Sequence, residues 1–317
     1  MNIRKLTLAI ALATSPLILT PAMAGERVAE TRDAAPDGFV RVTLVRGELD
    51  IQGWDKNQIE VRGELDDKAE EFIFDVSRGD AIIEVKLPRD LGWNSGDASD
   101  LTIRVPRGSN VDISGVSTDI RVVDIDGGLD IGGVSGDLDI RSIRDRIDVT
   151  TVSGDLNVQD VSGRISLKAV SGDIDVRGGQ GDFRLHTVSG DVLGRGLQGI
   201  DFELESVSGD LELIDTDYAE VRGHTVSGDV DIAGKLARGG TVELDTVSGS
   251  IRLEFVEPIN ARFELETASG SIRNRVTGDK PQTSRYVRDE TLRFVAGSGE
   301  GEVIISSRSG DIVISRD

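Results

Sequence analysis

The sequence contains no cysteine, two histidines, two methionines and seven prolines in 317 residues, and only 4% of it is aromatic. Without cysteine, no disulfide stabilises the chain and no thiol carries a lipid. With so few aromatics, the core has to be built from Val, Ile and Leu. That composition suits many thin repeated layers better than one thick core. A serine nucleophile needs a positioned base, and two histidines leave nearly every serine without one. A phosphate-binding glycine loop and a metalloprotease motif are also missing. After the first two dozen residues no run is apolar enough to cross a membrane, and no helical stripe of apolar residues occurs. What the chain has in excess is acid, with a formal charge of −21. Such a field disfavours nucleic acid and anionic headgroups as partners and favours cations and basic surfaces.

The first 24 residues read as a secretory signal peptide. Arg4 and Lys5 form its positive start, Leu6 to Ala13 its apolar stretch, and Ala22-Met23-Ala24 a small-x-small cleavage site. The expected mature chain begins at Gly25 and is exported, to the periplasm or the cell surface. An exported chain without disulfides needs another source of stability, and a long solenoid supplies one because each added coil buries more core.

Residues 25–36 are short and polar and read as a linker. Residues 37–110 read as an N-terminal β region, with period-2 alternation in Val40–Val45, Leu49–Ile51, Ile59–Val61, Phe72–Val76, Ala81–Leu87 and Leu101–Val105. The words Val45-Arg-Gly-Glu-Leu-Asp50 and Val61-Arg-Gly-Glu-Leu-Asp66 repeat within it. The stretch from Arg89 to Asp100 reads as an exposed loop.

Residues 111–317 form a repeat region. The word Val-Ser-Gly-Asp, or a close variant, returns ten times, with serines at 117, 135, 153, 171, 189, 208, 227, 248, 269 and 309. A fixed period near 20 is the signature of stacked coils. In the coil Val134 to Thr151, apolar residues fall at positions 5 and 7 and again at 14 and 16. Each pair lies on one face of a strand. One coil is therefore two short strands joined by two corners, the first made by the word itself. Glycine supplies positive φ there, and Ser and Asp bond nearby backbone. The valine is expected on the apolar side of the corner, and the coils are expected to stack in chain order. The longer coils place their extra residues at the second corner. One coil gains an insert at about 274–297 that is locally basic: Arg273, Arg275, Lys280, Arg285, Arg288 and Arg293. It is the candidate partner-binding loop.

The other candidate site is the column of aspartates at position 4. Asp137, Asp155, Asp173, Asp191, Asp210 and Asp229, preceded by Asp119, should stand one above another. Like charges at that spacing repel by ~1 kcal/mol per pair in water. Arg141, Arg177 and Arg195 share the outward face and offer one source of neutralisation. If the column holds a metal, calcium is the ion that accepts such carboxylates. No other cofactor is implied. His186 and His224 fall two coils apart with Glu205 between them, about 10 Å from each other and too far to share a zinc. Trp54 and Trp93 read as packing of the N-terminal region rather than a sugar platform.

Together Leu49-Asp-Ile-Gln-Gly-Trp54, Leu101-Thr-Ile-Arg-Val-Pro106, the run of Val-Ser-Gly-Asp words and the segment from Gly299 to Ile314 resemble the bacterial "putative adhesin" family. Its members are exported β-strand-repeat proteins classed as a domain of unknown function. The resemblance covers about residues 38–317. It implies a β-solenoid and an envelope location, and brings no catalytic residues. The expected fold is all-β, a single-stranded β-solenoid of about 18–21-residue coils with an irregular N-terminal β cap region. The expected function is a non-enzymatic binding or scaffold role toward an envelope protein or polysaccharide. The alternatives are an envelope-stress sensor that uses the basic insert, and an enzyme on a β-helix. A calcium-dependent polysaccharide lyase fits the acidic column better than a hexapeptide acyltransferase does, because Arg146 and Arg164 stand where the latter needs an apolar residue.

Overall fold

The structure, a computed structural model, describes residues 25–89, 96–256, 258–283 and 289–316. The expected signal peptide, Trp93, Arg285 and Arg288 lie outside them. The described residues contain strands and turns and no helix, and every strand joins one continuous sheet. The protein is a β-solenoid. In its regular part a coil is one long bent strand, as in Leu156–Ser171, Ile174–Ser189, Val192–Ser208 and Leu211–Ser227. Each pairs in parallel with the next, and serine meets serine at every corner.

The period-2 pattern decides what is buried. Leu138, Ile140, Ile147 and Val149 in one coil, and Leu156, Val158, Ile165 and Leu167 in the next, are at most 1% exposed. Aromatic residues are few, and two of them stack in adjacent coils, Phe183 on Phe202 with ring centres 5.1 Å apart. Past the first word, where Thr118 stands in its place, the corner requires glycine for a steric reason. At Gly172 (φ +152°) an added Cβ would lie 2.2 Å from the carbonyl oxygen of Gly154 one coil below. The longer coils bulge at the second corner as expected. Pairing shifts register after Gly181, and the extra residue leaves Ile200 72% exposed.

The ends depart from simple stacking. Along one face Leu101, Leu49, Ile120, Leu138, Leu156, Ile174, Val192, Leu211, Val230, Ile251, Ile312 and Ile272 succeed one another in register. At about 4.8 Å per step the stack is roughly 50–55 Å long. The order corrects the expectation of chain-order stacking twice. The coil of Phe39–Trp54 sits inside the coil built from Asp80–Lys86 and Ser99–Pro106. The coil of Gly301–Ser309 and Ile312–Arg316 is inserted between residues 241–255 and residues 261–274. Both edges of each inserted coil are thereby paired.

Antiparallel strands then cover the outermost coils. Gln58–Glu64 lies on Ser99–Pro106, Glu71–Ser77 on Asp80–Lys86, and Glu290–Ala296 on Ala261–Thr267. Arg27–Asp33, read as linker, is a strand paired antiparallel with Gln58–Glu64. Its backbone ladder holds it, and only Val28 is buried, so no apolar alternation announced it.

Candidate functional site

The Val-Ser-Gly-Asp edge carries the most regular surface of the molecule. The aspartates do stack. Asp119 Oδ1 accepts the backbone N–H of Asp137 at 2.9 Å, Asp137 that of Asp155 at 3.0 Å, and Asp155 that of Asp173 at 3.0 Å. Asp173, Asp191, Asp210 and Asp229 continue the ladder to the N–H of Ser250 at 2.7–2.8 Å. It resumes in the inserted coil, where Asp311 Oδ1 accepts both the N–H and the hydroxyl of Ser271 at 2.9 Å. Each carboxylate therefore ties down the turn of the next coil, and charge-assisted bonds offset the repulsion along the column.

Two of the three arginines pair beside this column rather than with it. Arg141 pairs with Asp139 at 2.8 Å and Arg177 with Asp175 at 2.5 Å, each within its own strand. Among the described residues no group of three or more metal-ligating side chains converges. At the N-terminal end of the column a hollow of about 460 Å³ is lined by Glu48, Asp50, Asp100, Asp119, Asp137 and Asp139, with Arg121 beside them.

The valines of the word are not in the core. Val116, Val134, Val152, Val170, Val188, Val207, Val226 and Val247 are each 39–47% exposed. From Val152 onward the residue before each valine points inward, as Thr151, Thr187 and Thr225 do. Period-2 alternation then turns the valine out. The expectation that it faces the apolar side is corrected on that ground. The eight valines form one outward row, one per coil.

Behind that row, Lys168, His186, Glu205, His224 and Asp245 follow in register on the outer face. His186 Nδ1 meets Glu205 Oε2 at 2.6 Å, and Glu205 separates the two histidines. The ten serines of the word are turn residues spread along the edge.

The basic insert is partly consumed by the fold. Arg293 pairs with Glu264 on the strand it covers, and Arg273 with Asp311 at 3.2 Å. Asn274 Oδ1 accepts the N–H groups of Val276 and Thr277, which sets the turn. Arg275 and Lys280 are exposed beside it. Trp54 donates its indole N–H to the carbonyl of Gln58 at 2.7 Å, and Lys56 Nζ stands 4.6 Å from the ring centre, so a cation already occupies one face.

One constellation carried no sequence signal. Arg46 takes the place in register of the word's serine and grips Asp66 with two bonds, Nε–Oδ2 at 2.5 Å and Nη2–Oδ1 at 2.8 Å. The side chain of Asp66 is fully buried. These bonds hold the Arg46 guanidinium above its ordinary pKa.

The model of the Toastrack DUF4097 family matches residues 47–315 of the chain. Among solved structures the chain is similar to a putative cell adhesion protein from Clostridium sporogenes ATCC 15579, at 11% identity over 92% of this chain and 100% of that one, TM-score 0.26. It is similar to a putative adhesin from Bacteroides fragilis NCTC 9343, at 13% identity over 91% and 97%, TM-score 0.35. It is also similar to a putative lipid binding protein from Parabacteroides distasonis ATCC 8503, at 14% identity over 91% and 98%, TM-score 0.37. No curated protein matches the sequence.

Proposed function

The chain belongs to the Toastrack DUF4097 family, and from that membership and the surface it displays we propose that it is a non-enzymatic exported β-solenoid, an adhesin-like binding or scaffold protein of the cell envelope. The observation that carries the reading is the Val-Ser-Gly-Asp edge, where one outward valine and one outward aspartate recur in register coil after coil. A straight periodic surface of that kind suits contact with an extended or repeating partner. No helix of the described residues is long and apolar enough to cross a membrane, which is compatible with the exported reading.

The test is retention of envelope material. Purified protein is immobilised and exposed to the native envelope fraction and to isolated envelope polysaccharides, with and without calcium. The expected result is retention of at least one envelope polymer or protein. No retention, together with uronate release from an acidic glycan, replaces the reading with an enzyme.

Exposed Arg275 and Lys280 support a second reading, a contact loop for a regulatory partner. Deleting the insert is a poor test, because Glu290–Ala296 covers the sheet edge at Ala261–Thr267. Arg275→Glu with Lys280→Glu leaves that strand in place. Unchanged partner capture by the double variant removes this second reading.

A further inference from the structure

The outward valine row has no structural employment within one chain. Serine, glycine and the aspartate rung make the corner, and the valine bears on none of those contacts. The fold itself shows that a different residue serves. In the inserted coil the same corner carries Arg308, in register one residue before the paired Ser248 and Ser309, and in the coil beyond it carries Ala268. Strand propensity would be met by threonine as well as by valine. Yet eight successive coils expose valine, over about 34 Å of the edge at 4.8 Å per coil. The row leaves roughly 500 Å² of apolar surface in water, at the upper end of what a monomer exposes in one patch.

We propose that this row is a self-association surface, closed by the valine row of a second copy of the chain. Two observations select that occupant, and a third sets its orientation. The spacing of the row is fixed by inter-coil hydrogen bonding, so a second stack of the same coils matches it tooth for tooth along its whole length. Two such rows with their serines bury about 1,000–1,500 Å², enough for a specific dimer. The flanks of the row then choose the orientation. On one side runs the aspartate ladder. On the other runs the register row of Lys168, His186, Glu205, His224 and Asp245, in which a lysine and two histidines are interleaved with two carboxylates.

A two-fold axis along the stack sets each all-acidic ladder against the partner's mixed row, which repels it less than a second ladder would. A two-fold axis across the stack would lay ladder on ladder. The copies therefore lie parallel, with each coil facing the same coil of its partner in an isologous contact. Because both copies carry a charge of −21, added salt strengthens the pairing by screening their repulsion. A cationic partner on the same row would instead be released by salt.

Sedimentation of the purified protein at up to about 10⁻⁴ M tests the idea. The expected species is a dimer whose dissociation constant falls as sodium chloride is raised. Val170→Arg with Val188→Arg, the residue type the corner already accepts at Arg308, is expected to raise that constant at least tenfold. Val170→Thr with Val188→Thr gives the same direction and keeps the strand preference, should the arginine variant fail to fold. The chain has no cysteine, so single variants Val134→Cys, Val188→Cys and Val226→Cys report orientation. On oxidation each should link to itself. A monomer at that concentration overturns the proposal, as does a dimer untouched by these substitutions, or one whose cysteines link only near the middle of the row.

Discussion

Asp173 does two things that oppose each other. Its charge repels Asp155 and Asp191 by ~1 kcal/mol per neighbour in water, while its Oδ1 accepts the Asp191 N–H at 2.8 Å. Asp173→Asn keeps an acceptor oxygen and removes the charge. Asp173→Ala removes both. The alanine variant is expected to cost about 1 kcal/mol and the asparagine variant close to nothing, read as shifts of the urea midpoint. Equal losses would mean that charge, and not the hydrogen bond, is what the corner uses. The turn roles of Ser and Gly were legible because a turn is local chemistry. The rung was not, because it joins amides 18 to 21 residues apart in sequence. Val152 was misplaced for a different reason. Its apolar side chain argued for the core, whereas alternation from buried Val149 and Thr151 puts it outside.

At the scale of the element, alternation identified nearly every strand because each has one face against the core. It failed for Arg27–Asp33, an edge strand held by its backbone ladder and by polar contacts such as Arg27 with Glu64, with Val28 its single buried residue. It was also silent on how the first coil closes. There Arg46 replaces a small turn residue, and Asp66 supplies the missing corner from the following segment. Asp66 Oδ1 accepts the Lys68 N–H at 2.8 Å, and the Asp66 N–H donates to Ser99 Oγ at 3.0 Å. The pair thus fastens Phe39–Trp54 to the strands that cover it. Asp66→Ala leaves a guanidinium without its bidentate partner in a mostly buried place, and is expected to cost about 3–5 kcal/mol. Thermal melting measures the loss. Hydrogen exchange should locate it in Gln58–Glu64 and Ser99–Pro106. A loss below about 1 kcal/mol would mean that apolar packing alone closes this end.

For the whole molecule, the period revealed the solenoid and hid the order of its layers. The coils at 261–274 and 301–316 have the same apolar pattern, so nothing in either marks which lies outermost. The interleaving concentrates the stability of that end on one coil, which has neighbours on both sides. Asp311 is its most specific fastener. The N–H and the hydroxyl of Ser271, with the charge of Arg273 behind them, hold the Asp311 carboxyl below its ordinary pKa. A carboxyl depressed in the folded state contributes stability that is fully present above its unfolded pKa of about 3.9. That contribution is lost as pH falls through the depressed folded value. The carboxyl is partly exposed, so solvent screens much of the effect. Acid should therefore loosen the contact of Ile312–Arg316 with Ile272–Asn274 before it disturbs the central coils, whose middle layers carry several such rungs. Hydrogen exchange at neutral pH and near pH 3 is the measurement, with faster exchange at Ile272–Asn274 than at Ile174–Ser189 once intrinsic rates are corrected. Asp311→Asn should flatten the acid response of that contact. An unaltered response would assign the acid sensitivity of this end to the other carboxylates around it, Glu264 and Glu290 among them.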